Sequence, residues 1–148
     1  VVYLRRVDGS KPVAVMRNLS QSTPVYCTAS GRAILAFLPE DEANAILDRQ
    51  QIVKHTESTI TDRAALHESL LQVRRQGFAV VDAEYTRDLL YISAPIFEHS
   101  GRPCAALTLA MLSSQKLQAG LLQKYTRLVR DGAIAFSRDM GYLEHKAA

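Results

Sequence analysis

Tryptophan is absent from this 148-residue chain, and cysteine occurs only at Cys27 and Cys104. Two distant thiols make no disulfide framework. Each lies in an apolar stretch, so both are expected to be free and buried. No apolar run approaches the roughly 18 residues that a membrane span requires. The N-terminus has no charged segment leading into an apolar one, which argues against a secretory signal and for the cytoplasm. One-sided charge is also missing: 18 Lys and Arg against 15 Asp and Glu leave +3, too small an excess to indicate nucleic acid by itself. The histidines (His55, His67, His99 and His145) never stand four apart, and neither cysteine has a Cys-x-x-Cys partner. No metal-ligand pattern results. Phosphate loops of the Gly-x-x-x-x-Gly-Lys and Gly-x-Gly-x-x-Gly types are lacking. Thr28 and Arg32 stand where a Gly-x-Ser-x-Gly elbow around Ser30 would need glycines.

What remains is a chain of single-domain size with 47% hydrophobic residues, enough for a real core. It opens on a strand-like run, Val1, Val2, Tyr3 and Leu4, with no initiating Met, and is read as a piece of a longer chain. Val1 to Val7 and Val13 to Leu19 favour β structure, and Asp8-Gly9-Ser10 between them predicts a hairpin. Thr28 to Leu38 reads as a short helix ended by Pro39, and Pro39-Glu40-Asp41-Glu42 opens a second. Thr61-Asp62 caps a third, with Leu66, Leu70 and Val73 at helical spacing and Gly77 at its end. Phe78 to Val81 returns to β structure. Leu89 to Phe97 and Pro103 to Leu112 form a hairpin about His99-Ser100-Gly101-Arg102. A long final helix is expected from Ser113 or Ser114 to Met140, with seven-residue repeats through Leu121, Leu128 and Ala135 and through Leu122, Val129 and Phe136. Lys116, Lys124, Arg127, Arg130 and Arg138 are assigned to its solvated face. The pattern is that of an α+β domain with helices packed on an antiparallel sheet.

Three stretches invite chemistry. In "CTASGRAIL" the amides of Ala29, Ser30 and Gly31 open a helix, a place that suits a small anion. Arg32 adds a charge there or pairs with an acid. The competing reading is that Gly31 permits close packing and Ser30 only caps. In "GFAVVDAEYTRDLLY" the groups Asp82, Glu84, Arg87 and Asp88 crowd one segment. It is either a solvated loop or a loop folded over a pocket, its acids meeting a ligand or Arg32. In "PCAALTLAML" the period-two face of Cys104, Ala106, Thr108 and Ala110 has little volume, leaving room for a helix or for a ligand. Cys27 as a nucleophile has no base nominated for it by the sequence.

Three longer segments, "TPVYCTASGRAILAFLPEDEANAIL", "TITDRAALHESLLQVRRQGFAVVDAEY" and "LLYISAPIFEHSGRPCAALTLAMLSS", resemble in order and spacing the effector-binding domain of IclR-type (isocitrate lyase regulator) transcription factors. The form "YCTASGRAIL" is similar to the branch that governs aromatic-acid catabolism through the β-ketoadipate pathway. The resemblance implies a GAF- or profilin-like curved antiparallel sheet flanked by helices. It implies that residues 1–148 sense a small organic acid, and that an N-terminal winged helix-turn-helix absent from this fragment binds DNA. It implies a homodimer or homotetramer, with no cofactor and no catalysis. The family's pocket, carried over, falls on Ala29, Ser30, Gly31, Val81, Leu89, Tyr91, Thr108 and Ala110; from the stretches read above, Arg32, Asp82 and Glu84 are assigned to its support. Many members have Gly-Leu where this chain has Asp88-Leu89. Two alternatives stand beside the sensor: a small enzyme using Cys27 or Glu84, and an oligomerisation module built on the last helix.

Overall fold

Local capping chemistry fixes the start of the helix Ala29–Leu35 and both ends of the helix Arg63–Gln76. A computed structural model describes residues 1–9 and 22–143. Within them run α1 (Ala29–Leu35), α2 (Glu40–Asp48), α3 (Arg63–Gln76), β1 (Ala79–Asp82), β2 (Leu89–Phe97), β3 (Pro103–Leu112), a 3-10 helix (Ser113–Leu117) and α4 (Leu121–Asp139). Thr28 is the N-cap of α1, its Oγ1 accepting from the Gly31 amide at 3.3 Å. Asp62 caps α3 by accepting from the Ala65 amide at 2.8 Å. Gly77, at φ +80°, closes that helix with its N–H on the Val73 carbonyl. The strands make one antiparallel sheet in the order β1-β2-β3, so the chain is α+β as its patterning indicates.

Alternation along the strands splits the core in two. Ala79, Val81, Leu89, Tyr91 and Ala106 face α1 and α3, meeting Ala29, Ala33, Ala36 and Val73. Val80, Leu90, Ile92, Ala94, Leu107, Leu109 and Met111 face α4, meeting Val129 and Ala133. A separate cluster of Tyr26, Cys27, Leu35, Leu38, Ala43, Leu47 and Leu66 ties α1 to α2 and α3. The sheet is thus sandwiched between helices.

Five expectations need correction. The last helix does not start at Ser113: residues Ser113–Leu117 are 3-10, and α4 starts only after Gly120, at φ +73°. Left-handed backbone at Gly120 interrupts any continuous α-helix. Lys116 therefore lies outside α4, and it pairs with Asp82 rather than with solvent. Only part of the seven-residue repeat is buried: Leu128 and Phe136 are half exposed, while Val129, together with Ala133 from outside the repeat, faces the sheet. A straight helix of 3.6 residues per turn drifts away from a seven-residue repeat. Cys27 is buried but Cys104 is exposed. The expected first strand of the N-terminal hairpin, Val1 to Val7, is not formed: there Val2 makes one isolated antiparallel bridge, to Ser22; the expected second strand, Val13 to Leu19, lies outside the described residues.

Candidate functional site

Arg32 decides the geometry around α1. Its Nε donates to the Tyr26 carbonyl at 2.7 Å, and its two terminal nitrogens grip Glu84, Nη1 to Oε1 at 2.7 Å and Nη2 to Oε2 at 2.6 Å. The planar guanidinium fork matches a carboxylate, and this pair is buried. Glu84 Oε2 also accepts from the Ile60 amide, and the Glu84 carbonyl accepts from the Thr59 hydroxyl at 2.6 Å. The segment after β1 is thereby drawn over α1, as the reading of acids holding Arg32 anticipated. Arg32 is spent on this pairing and offers no free charge to a ligand.

The same segment carries two non-glycine residues in left-handed backbone, Ala83 at φ +55° and Asp88 at φ +62°. Asp88 thus occupies a conformation that glycine adopts freely and that Asp tolerates better than most residues. The Ser113 amide donates to its carbonyl. Asp82 turns outward to Ser113 and Lys116. Burial works to raise its pKa, but the Lys116 ammonium and the Ser113 hydroxyl outweigh it and hold the carboxyl below its ordinary value.

Beneath this segment lies a small cavity lined by Tyr3, Cys27, Thr28, Ala29, Ser30, Tyr85, Tyr91 and Thr108. Its volume is ≈ 10 Å³, about that of one water sphere. Of the eight residues on which the family's pocket falls, it brings together Ala29, Ser30, Tyr91 and Thr108, with Cys27 beside them. The other four lie nearby but do not line it. Val81 is buried in the α1-facing core with Leu89 beside it. Ala110 is exposed, paired in register with Tyr91. Gly31 faces backbone: a Cβ there would stand 2.2 Å from the Val25 carbonyl oxygen, and its amide is taken by Thr28. Close packing, the competing reading of this glycine, is therefore what its position shows.

Tyr85, Tyr3 and Thr28 were not singled out. Tyr85 is delivered by Glu84 and leans edge-on against His55 with ring centres 4.9 Å apart. Its adjacency to Glu84 was the available signal. Thr28 spends its hydroxyl on the Pro24 carbonyl and its oxygen on Gly31.

The lining is neutral. Cys27 is pushed up to about 11, first by burial and then by the negative charge of Glu84; at neutral pH it is a thiol, not a nucleophilic thiolate. Thr108 Oγ1 lies 2.8 Å from Ser93 Oγ, which reaches the Leu107 carbonyl at 3.2 Å. Ser30 is 5% exposed and its hydroxyl makes no hydrogen bond among the described residues. Such a group is unusual in a folded interior. The arrangement can hold a small polar molecule by neutral donors at the start of α1; it contains no oriented base for bond-making chemistry. Among the described residues no cluster of His, Cys, Asp and Glu could hold a metal, and no helix is long and apolar enough to cross a membrane.

Comparison with known proteins agrees with this architecture. The chain is 30% identical over 141 residues to the HTH-type transcriptional regulator XynR of Escherichia coli K12, covering 95% of this chain and 56% of that protein. It is 30% identical, also over 141 residues, to the Pca regulon regulatory protein of Pseudomonas putida, covering 95% of this chain and 47% of that one. The crystal structure of Thermotoga maritima IclR superposes with a TM-score of 0.88 at 30% identity, covering 95% of this chain and 57% of that one. The chain spans about half the length of the curated relatives it matches. These relatives are named as transcriptional regulators, not enzymes. The model of the bacterial transcriptional regulator IclR C-terminal domain matches residues 1–138, and the chain belongs to that family.

Proposed function

We propose that this chain is the effector-sensing part of a bacterial transcriptional regulator, and that the cavity at the start of α1 is where a small organic acid binds. The buried, unpartnered Ser30 hydroxyl carries this reading. It sits beside the Ala29 and Ser30 amides at the positive end of α1, with Thr108 across the cavity. A carboxylate supplies acceptors to the Ser30 hydroxyl and to these two amides. Tyr91 and Tyr85 flank the space where a planar, aromatic body would lie. Val81, Leu89 and Ala110 act from behind, setting the position of Tyr91. Arg32, Glu84 and Asp82 hold the covering segment in place.

With a cavity of only ≈ 10 Å³, an acid must open the site by displacing that segment and the tyrosine rings. That displacement is the change through which occupancy reaches other subunits. The regulator acts in the cytoplasm as a homodimer or homotetramer, and a winged helix-turn-helix preceding this domain contacts DNA. The half-exposed Leu128 and Phe136 on the outer side of α4 support self-association.

The test is thermal unfolding of the chain with glyoxylate, pyruvate, 4-hydroxybenzoate, protocatechuate and β-ketoadipate, following each acid for turnover. A ligand at 100 times its Kd adds about 2.7 kcal/mol, a rise of several degrees. The rise should disappear in Ser30→Ala and Thr108→Val. Stabilisation that survives both substitutions would move the ligand elsewhere, and consumption of the acid would make the protein an enzyme.

A further inference from the structure

A larger opening lies elsewhere. β1 begins at Ala79, opposite Ser93, so the last four residues of β2 have no strand on that side among the described residues. A cleft of ≈ 170 Å³ lies there, between the end of β2 and α4. Its apolar surface comes from Ala94, Pro95 and Ile134 together with three rings, Phe37, Phe97 and Tyr142. Phe37 meets Phe97 edge-on at 5.2 Å and Tyr142 lies 5.0 Å from Phe97. The wall is fixed, because the Phe97 amide donates to Ser137 Oγ at 3.0 Å and that hydroxyl donates to the Ala133 carbonyl at 2.7 Å.

Two cations rim this apolar surface. Arg130 and Arg138 stand eight residues apart, with Ile134 midway, so all three share one side of α4. Neither arginine has an acidic partner among the described residues. Every other side chain lining the cleft is uncharged. Apolar rings with two guanidinium groups at the edge match a molecule with a flat apolar body and an anionic head. An apolar cavity of about 150 Å³ accepts benzene, so this volume fits one ring bearing one small group.

We propose that the cleft between β2 and α4 is a second ligand site, distinct from the cavity at α1, and that it takes an aromatic monocarboxylate. The ring lies against Phe97 and Tyr142, and the carboxylate accepts from Arg130 and Arg138. The site is open without movement of the segment after β1, so it fills independently of the α1 cavity.

Benzoate is the probe, followed by backbone amide shifts of the 148-residue chain. Shifts are expected at Phe97, Ile134 and Tyr142. Benzamide, with the same ring and no charge, should bind at least about tenfold more weakly, as should benzoate to the Arg130→Gln/Arg138→Gln double variant. Both arginines are exposed, so the variant keeps its fold. Shifts confined to Ala29, Ser30, Tyr91 and Thr108 would overturn the proposal, as would equal affinity for benzamide or no response to millimolar benzoate. If the double variant instead changes the sedimentation of the chain while benzoate fails to bind, the cleft is a contact between copies and the proposal fails.

Discussion

Arg32 and Glu84, 52 positions apart in sequence, meet as a buried two-pronged pair at 2.7 and 2.6 Å. The pair joins α1 to the segment that covers its first turn, and Glu84 hands Tyr85 to the cavity beneath. Fold and site share this one contact.

Removing one partner should therefore be costly. Glu84→Gln leaves a buried guanidinium without its counter-charge and is expected to lower unfolding free energy by about 3–5 kcal/mol. Arg32→Met with Glu84→Gln should cost less than the sum of the two single changes. Urea unfolding of the three variants measures both. Near-additive losses would mean that the pair is not coupled.

Two glycines make an opposed pair of predictions. In Gly31→Ala the new methyl meets Val25 backbone at 2.2 Å, and backbone cannot step aside. A loss of about 3 kcal/mol or more is expected. In Gly132→Ala the methyl meets only the tip of the Leu107 side chain at 2.8 Å, which can rotate, and alanine gains about 1 kcal/mol of helix propensity. Its thermal midpoint should stay within a few degrees of the parent. Equal effects at the two positions would contradict the packing described.

Strain in the covering segment is open to relief. Ala83→Gly removes a Cβ from left-handed backbone and should stabilise by about 0.5–1 kcal/mol, the relief of roughly 1–2 kcal/mol exceeding glycine's added chain entropy. Asp88→Gly should be close to neutral, since Asp visits this region more readily. Denaturant midpoints of the two variants distinguish them.

The two thiols should behave oppositely. In the folded chain at pH 8 an aromatic disulfide reagent should modify exposed Cys104 and leave buried Cys27 untouched, both reacting once urea unfolds the chain. Cys27 is raised from an ordinary 9.0 to about 11 in the folded state, so its contribution to stability is complete below pH 9 and is lost as pH rises through 11. A Cys27→Ala variant should show a smaller fall in stability across that alkaline range. Asp82 has the opposite sign: its pKa is lowered, so its contribution is present above its ordinary 3.8 and is lost as pH falls below it.

The sequence by itself determined the elements whose ends are set locally. Asp62 and Gly77 bound α3 because a side-chain cap and a left-handed residue act within one turn. The ends of β2 and β3 follow from alternation around Ser100-Gly101. The first turn of α1 and the small face of β3 were legible too, and Ala29, Ser30, Tyr91 and Thr108 meet in one cavity. Tertiary structure decided what depends on distant partners. Arg32 could have served a ligand, but Glu84 claims it. The Ser113–Leu117 segment is separate from α4, with Ser113 and Lys116 on Asp82, and Cys104 shares a face with Ala106 yet lies at the exposed end of its strand. Periodicity and capping are interactions over four or five residues, so a sequence states them directly. Ion pairing, close approach and the volume left between elements arise only when segments dozens of residues apart are brought together.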